Sequence, residues 1–279
     1  MNGKSISEYT IEELGQVKAT CLSLAQTLGD DIQENAVIVG GLVPVLLYPD
    51  VQPLWEFGGH AGTQDLDLTL DLVILEKQRY ENVAASLRRS GFVPDTNADG
   101  NIVRQRWRAE MGALVDFLMP PVPPDTKGGR QQSLTNDLAA FTMRGLDLAL
   151  RNRILLPLAG HDLEGRAVQR SLPVCPAEVF VLLKALAIAG RDKPKDAYDL
   201  HYVLLHDHRG PYGLGTALRA LMPHPAIEAA IASLKRDYRD VESRGPRDVC
   251  SFLGERENEQ LAGDSLAFVL EFVSAVERS

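Results

Sequence analysis

GTQDLDLTLDL, residues 62–72, alternates with a period of two. Leu66, Leu68, Leu70 and Leu72 fall on one side, and Asp65, Asp67, Thr69 and Asp71 on the other. This is the pattern of a strand with one face in a core. Asp65 and Asp67 then point the same way. At about 4 Å and an effective dielectric near 20, two like charges repel by roughly 4 kcal/mol. The strand carries a charge pair that calls for a counter-charge, and its neighbours indicate which. For an isolated Asp-X-Asp, a solvated sheet face is the plain alternative. Asp71 suits that surface role, or a cap at the strand end.

Upstream, AVIVGG (36–41) is a short β-branched run stopped by two glycines, and LVPVLLYP (42–49) reads as a short helix closed at Pro49. Residues 7–29 form an expected helix with Ser7 as N-cap and Gly29 after its end. Residues 50–63 read as a loop holding Trp55, Gly58, Gly59 and His60. Downstream, residues 77–91 are helical. Strands are expected at 91–95, 101–109 and 112–118, with the turn ADG (98–100) joining the first two. MGALVDFLMPP (111–121) carries one carboxylate, Asp116, among Ala113, Leu114, Val115, Phe117 and Leu118, where an acid without a partner is costly. Pro120, Pro121, Pro123 and Pro124 end it. A polar loop at 125–137 and strands at 145–157 and 164–172 follow.

From Cys175 the pattern turns helical: about 176–190, 194–207, 212–221, 224–241, 246–254 and 259–277. Two domains are expected, a mixed α/β part at 1–174 and an α-helical part at 175–279. The 279 residues suffice for either one large or two medium cores. The net charge of −9 argues against nonspecific binding to nucleic acid or an anionic membrane. Three widely spaced cysteines, Cys21, Cys175 and Cys250, fit reduced thiols in a cytoplasm. The polar start lacks an apolar leader, and no apolar run suits a membrane span.

A divalent cation is one counter-charge for adjacent carboxylates, since Mg²⁺ takes oxygen ligands and often uses one or two carboxylates plus substrate phosphates. Asp116 on a neighbouring strand is the candidate third ligand. Glycines between a strand and a helix let backbone N–H groups approach a phosphate. The ordered set VGG, DLDL, VDFL resembles the nucleotidyltransferase superfamily with a polymerase-β-like palm. That resemblance implies an α+β fold, a mixed sheet with flanking helices followed by a helical C-terminal domain. It implies transfer of a nucleotide from an NTP with Mg²⁺, or Mn²⁺ in its place. Gly40, Gly41 and Thr63 would hold the nucleotide. Asp65, Asp67 and Asp116 would bind metal, with Asp116 also accepting a proton from the attacking hydroxyl. The Gly41–Asp65 spacing is longer than the superfamily's usual one, so an insertion is expected over 50–61. Gly62 and Thr63 stand where an Arg or Ser is common.

A second signature is LLKALAIAGRDKPKDAYDLHYVLL, 182–205. Lys184 lies in an apolar run, and Asp196 and Asp199 are one helical turn apart. Snorkelling of Lys184 and a capping or ion-pair arrangement are the plain readings. The segment also resembles the C-terminal helical signature of AbiEii/AbiGii-type nucleotidyltransferases, the toxins of type IV toxin–antitoxin and abortive-infection systems. On that resemblance Lys184, Lys195 and Arg191 neutralise triphosphate charge and Asp199 orients a lysine or the acceptor. A tRNA acceptor and a cognate antitoxin are the implied partners. Protein or small-molecule acceptors, or a non-catalytic NTP-binding palm, stay open. Arg104, Arg106 and Arg108 alternate along one strand as a local basic stripe, either a solvated face or an RNA contact. The six histidines are scattered, with no metal-ligand spacing.

Overall fold

The computed structural model describes residues 4–49, 59–70, 77–122 and 127–278. Trp55, Gly58, Asp71, Leu72, Pro123 and Pro124 lie outside the described residues. The chain forms two compact units. One comprises Thr10–Leu46 and Gly62–Pro176; the other comprises Met1–Tyr9, Leu47–Ala61 and Ala177–Ser279.

The first unit is built on a mixed sheet. Its strands are β1 (Ala36–Val39), β2 (Asp65–Leu70), β3 (Phe92–Thr96), β4 (Ile102–Ala109), β5 (Leu114–Met119), β6 (Gly128–Ser133), β7 (Ala139–Met143), β8 (Ile154–His161) and β9 (Ala167–Val174). The spatial order is β3-β4-β5-β2-β1-β9-β8, with β7 pairing both β5 and β6. β2 sits between β1, antiparallel, and β5, parallel. The alternation read from residues 62–72 is realised over Asp65–Leu68, where Leu66 and Leu68 are buried and Asp65 and Asp67 half-buried; Thr69, expected on the polar face, is wholly buried. Pairing of β5 changes along its length. Leu114 to Asp116 face β4, whereas Leu118 and Met119 face β7. Asp116 is therefore the last β5 residue in register with β4.

The helices of this unit are α1 (Ile11–Leu28), α2 (Asp30–Asn35), α3 (Val43–Leu47, reaching one residue into the other unit), α4 (Lys77–Arg89) and α5 (Leu146–Asn152). α1 starts at Thr10 rather than Ser7. Thr10 Oγ1 accepts from the Glu13 amide at 3.1 Å while the Glu13 carboxylate accepts from the Thr10 amide at 3.1 Å. Ser5 and Glu8 make the same reciprocal cap on a separate 3-10 turn, Ile6–Glu8, so the expected single helix begins three residues later. Two further expectations change. The polar loop contains β6, whose amide-rich GGRQQS sequence pairs with β7. Residues 146–152 are α5, not strand: Leu146, Leu148, Ala149 and Leu150 are all buried, more apolar positions than one strand face provides.

The second unit is helical: α6 (Ala177–Gly190), α7 (Pro194–His206), α8 (Gly210–Arg219), α9 (Pro225–Asp237), α10 (Arg244–Leu253) and α11 (Glu259–Glu277). α6 is apolar nearly all round and is correspondingly buried at nine positions. Pro194 occupies the first turn of α7, where a missing N–H costs nothing. Tyr9, Tyr198, Tyr202 and Phe252 form an aromatic cluster with Ile6, Tyr48 and Ala61 packed on it. Tyr198 and Phe252 lie 4.6 Å apart, centroid to centroid. The three cysteines are buried and outside any disulfide. Among the described residues, no helix is long and apolar enough to cross a membrane.

Candidate active site

In the sheet unit, strand register assembles the acids. β2 and β5 place Asp67 opposite Asp116, and β1 places Val39 opposite Asp67. Gly40 follows directly, with φ +70, a conformation that disfavours any side chain. A Cβ built there would overlap the Asp67 carboxylate, standing 2.7 Å from its Cγ and 3.0 Å from its Cβ. Gly40 thus matters twice, for its backbone and for the room it leaves Asp67. Gly41 continues into a 3-10 turn, Gly40–Leu42, and is buried. Thr63 Oγ1 donates to Asp65 Oδ1 at 2.7 Å, which fixes that carboxylate from the residue two before it.

Asp116 is held from the other side. Arg106 stands opposite it in the β4–β5 pair and grips it with both arms, Nε to Oδ1 at 2.7 Å and Nη2 to Oδ2 at 2.7 Å. Such two-armed contacts are the strong, directional form of the ion pair. The hydrogen bond to Asp116 raises the Arg106 pKa, with further support from the charges of Asp116, Asp65 and Asp95. Arg106 is therefore the positive centre of a face that carries three acids. Its stripe neighbours are also engaged. Arg108 grips Asp95, Nε to Oδ1 at 2.9 Å, and Arg104 donates to the Asn136 carbonyl at 3.2 Å.

Asp65, Asp67 and Asp116 supply only oxygen, which suits a hard divalent cation such as Mg²⁺ or Mn²⁺. Among the described residues, no three Asp, Glu, His or Cys side chains are grouped closely enough to hold a metal ion as they stand. Asp65 and Asp67 fit the role by strand and face; Asp116 fits by register, with both oxygens in the Arg106 fork.

The helical unit gathers the second set. Lys184 Nζ lies 2.8 Å from Asp196 Oδ1 and 2.6 Å from Asp199 Oδ2, the latter as an ion contact outside hydrogen-bond angles. Lys195 Nζ donates to Asp199 Oδ1 at 2.6 Å, and Arg191 grips Asp196 through Nε at 2.7 Å and Nη2 at 2.9 Å. Asp196 and Asp199 are wholly buried, and both lysines nearly so. Three cations thus face two carboxylates. Burial pulls Lys184 down, but Asp196 and Asp199 together outweigh it and hold its pKa above the ordinary value. Burial leaves the Lys195 pKa below the ordinary value, against the pull of Asp199 and with Lys184 repelling it. Burial alone would raise Asp196, yet Lys184 and Arg191 bring it to about 2. Asp199 is held well below the usual carboxylate range by Lys184 and Lys195 against the cost of burial.

The sequence reading passed over His60. Its Nε2 lies 2.9 Å from Asp199 Oδ1, its ring stacks on Tyr198 at 5.2 Å, and burial pushes its pKa down to about 4. The neutral ring therefore donates to Asp199. The next residue is tied too, its Ala61 amide donating to Tyr198 Oη at 3.0 Å. No local pattern marks this role, because the partner lies 139 positions away. Arg106 is expected in a basic stripe, as a solvated face or an RNA contact; the β4–β5 register sets it opposite Asp116 instead.

The expected residues form two groups. Gly40, Gly41, Thr63, Asp65, Asp67 and Asp116 belong to the sheet unit, and Lys184, Arg191, Lys195 and Asp199 to the helical unit. A family model described as Nucleotidyltransferase matches residues 24–206, most of the chain and both groups. The chain belongs to that nucleotidyltransferase family. A search of curated proteins finds no match. The mixed sheet with flanking helices and a helical C-terminal region is the α+β architecture expected of such a nucleotidyltransferase. NTP is accordingly its substrate class.

Proposed function

We propose that this nucleotidyltransferase is Mg²⁺-dependent, of the EC 2.7.7 type, and transfers NMP to an RNA acceptor, tRNA above all, as an AbiEii-like toxin restrained by a cognate antitoxin in the cytoplasm. The observation that carries the chemistry is the register of Asp67 with Asp116 beside Asp65 on one sheet face, with Gly40 against Asp67. In this reading Asp65, Asp67 and Asp116 hold Mg²⁺ (or Mn²⁺). When bound, it neutralises charge on the reacting phosphates. Thr63 keeps Asp65 oriented, and Gly40 with Gly41 leaves the strand end open to backbone approach. Lys184 and Lys195 supply positive charge to the triphosphate, and Asp199 sets their positions. Arg191, with 52% of its side chain exposed while it grips Asp196, is the most accessible of these cations.

One observation favours a second reading, a protein or small-molecule acceptor. The basic stripe proposed for RNA is spent inside the unit: Arg106 on Asp116, Arg108 on Asp95 and Arg104 on backbone carbonyls. The experiment is a labelling assay. Wild type and the Asp65→Ala/Asp67→Ala variant are incubated with Mg²⁺ and each NTP labelled at the α-phosphate, with and without total cellular RNA. Label on RNA with wild type alone supports the first reading, and label on protein the second. No label in any arm refutes an RNA or protein acceptor; an NTP-binding titration then separates a small-molecule acceptor from a non-catalytic NTP-binding palm. Growth arrest on expression that persists in Asp67→Ala would sink a catalytic toxin.

A further inference from the structure

Arg106 does more than balance charge. Its fork occupies both oxygens of Asp116 at 2.7 Å, and its guanidinium is also drawn toward Asp65 and Asp95. A carboxylate keeps further lone pairs in such a fork, so the contact does not seal Asp116. It does place a fixed positive charge where a divalent cation has to come. The ion pair is also not deeply buried: 38% of the Arg106 side chain is exposed, against 14% for Asp116. A half-exposed guanidinium has water to return to, and screening keeps such pairs exchangeable. Asp116 is the last β5 residue paired with β4, and strand register sets it between Arg106 of β4 and Asp67 of β2.

We propose that Arg106 is a built-in competitor for the metal: its guanidinium occupies Asp116 in the metal-free protein and is displaced from it as a divalent cation binds the acid face. This rests on the reading that Asp65, Asp67 and Asp116 hold the cation. Exchange of one cation for another keeps Asp116 paired in both states. It answers how the carboxylates fold together before any metal arrives. Arg106 is in this sense a positioning residue, acting through Asp116.

The test measures metal binding, not turnover. Mn²⁺ is titrated into wild type, Arg106→Gln, Arg106→Lys and Asp65→Ala/Asp67→Ala, and free Mn²⁺ is followed by electron paramagnetic resonance. Removing the competitor is expected to tighten Mn²⁺ binding about tenfold in Arg106→Gln, with Arg106→Lys in between because it keeps the charge and loses the fork. In wild type, the Arg106 Nε–H resonance is expected to shift on titration with diamagnetic Mg²⁺. Equal or weaker Mn²⁺ binding by a folded Arg106→Gln overturns the competitor role, since a merely supporting arginine would weaken the site when lost. If the double-Asp variant binds Mn²⁺ as wild type does, the metal reading of the acid face is what fails.

Discussion

Gly40→Ala separates the two reasons for glycine beside Asp67. The first is conformational: alanine at φ +70 costs about 1–2 kcal/mol. The second is steric, because the new Cβ would stand 2.7 Å from Asp67 Cγ and force that side chain off its position. Moving it off rotamer adds about 0.5–1.5 kcal/mol. Gly100 is the control. It sits at φ +79 in the β3–β4 turn, with nothing within 4 Å of its would-be Cβ. Gly100→Ala therefore carries the conformational cost alone. Urea unfolding is expected to show Gly40→Ala destabilised by roughly 1.5–3.5 kcal/mol and Gly100→Ala by about 1–2 kcal/mol. The labelling rate separates them further. A displacement near 1 Å in a reacting site costs on the order of 10²-fold, so Gly40→Ala is expected to fall that far while Gly100→Ala keeps the wild-type rate. A folded Gly40→Ala with wild-type labelling would refute the claim that Gly40 seats Asp67.

Lys184→Met leaves Asp196 and Asp199 short of their shared cation, and removing one partner of a buried ion pair costs about 3–5 kcal/mol; a loss under 1 kcal/mol in urea would count against the network. His60 and His201 are both pushed by burial to about 4, below their unfolded value, so unfolding takes up protons between about pH 6.5 and 4. Their stability is complete above that window and is lost as pH falls through it, at about 1.4 kcal/mol per pH unit for each group. His201→Phe, whose ring would keep the stacking on Phe268, is expected to remove one of these two protons from the pH slope of the urea midpoint. Asp196, at about 2, adds stability that is present above its unfolded value near 4 and is lost only below it, in more acid solution. Thr63→Val removes the 2.7 Å bond to Asp65 and is expected to slow labelling about tenfold with little change in stability; an unchanged rate would show that the bond does not orient the carboxylate.

The elements that were legible are those with a strong period or strong punctuation. β2 announces itself by alternation and α7 by Pro194; α11, expected over 259–277, starts after an Asn258 cap whose side chain accepts from the Leu261 amide at 3.0 Å. The acids Asp65 and Asp67 share a face because a strand's period is two, so one segment suffices to place them. Their relation to Asp116 rests on the β2–β5 pairing, which no local window contains, and only the ordered set VGG, DLDL, VDFL and its resemblance pointed to it. β6 was hidden because GGRQQS lacks β-branched residues and is stabilised by its partner β7. The start of α1 was misplaced because two reciprocal caps, Ser5 with Glu8 and Thr10 with Glu13, lie in succession. His60 was hidden for a different reason. Its role depends on Asp199, and no local window contains both.

The helical unit is made of three separate pieces of chain, Met1–Tyr9, Leu47–Ala61 and Ala177–Ser279, whereas every strand of the sheet precedes Ala177. During synthesis the sheet can therefore close while the helices are still unmade. Ile6, Tyr9 and Tyr48, whose aromatic partners Tyr198, Tyr202 and Phe252 come late, emerge first and wait. Domains generally fold as units in the order they leave the ribosome. Ile6, Tyr9, Tyr48 and His60 thus belong to a unit whose helices α6 to α11 all follow Pro176, and their contacts wait on α7 and α10.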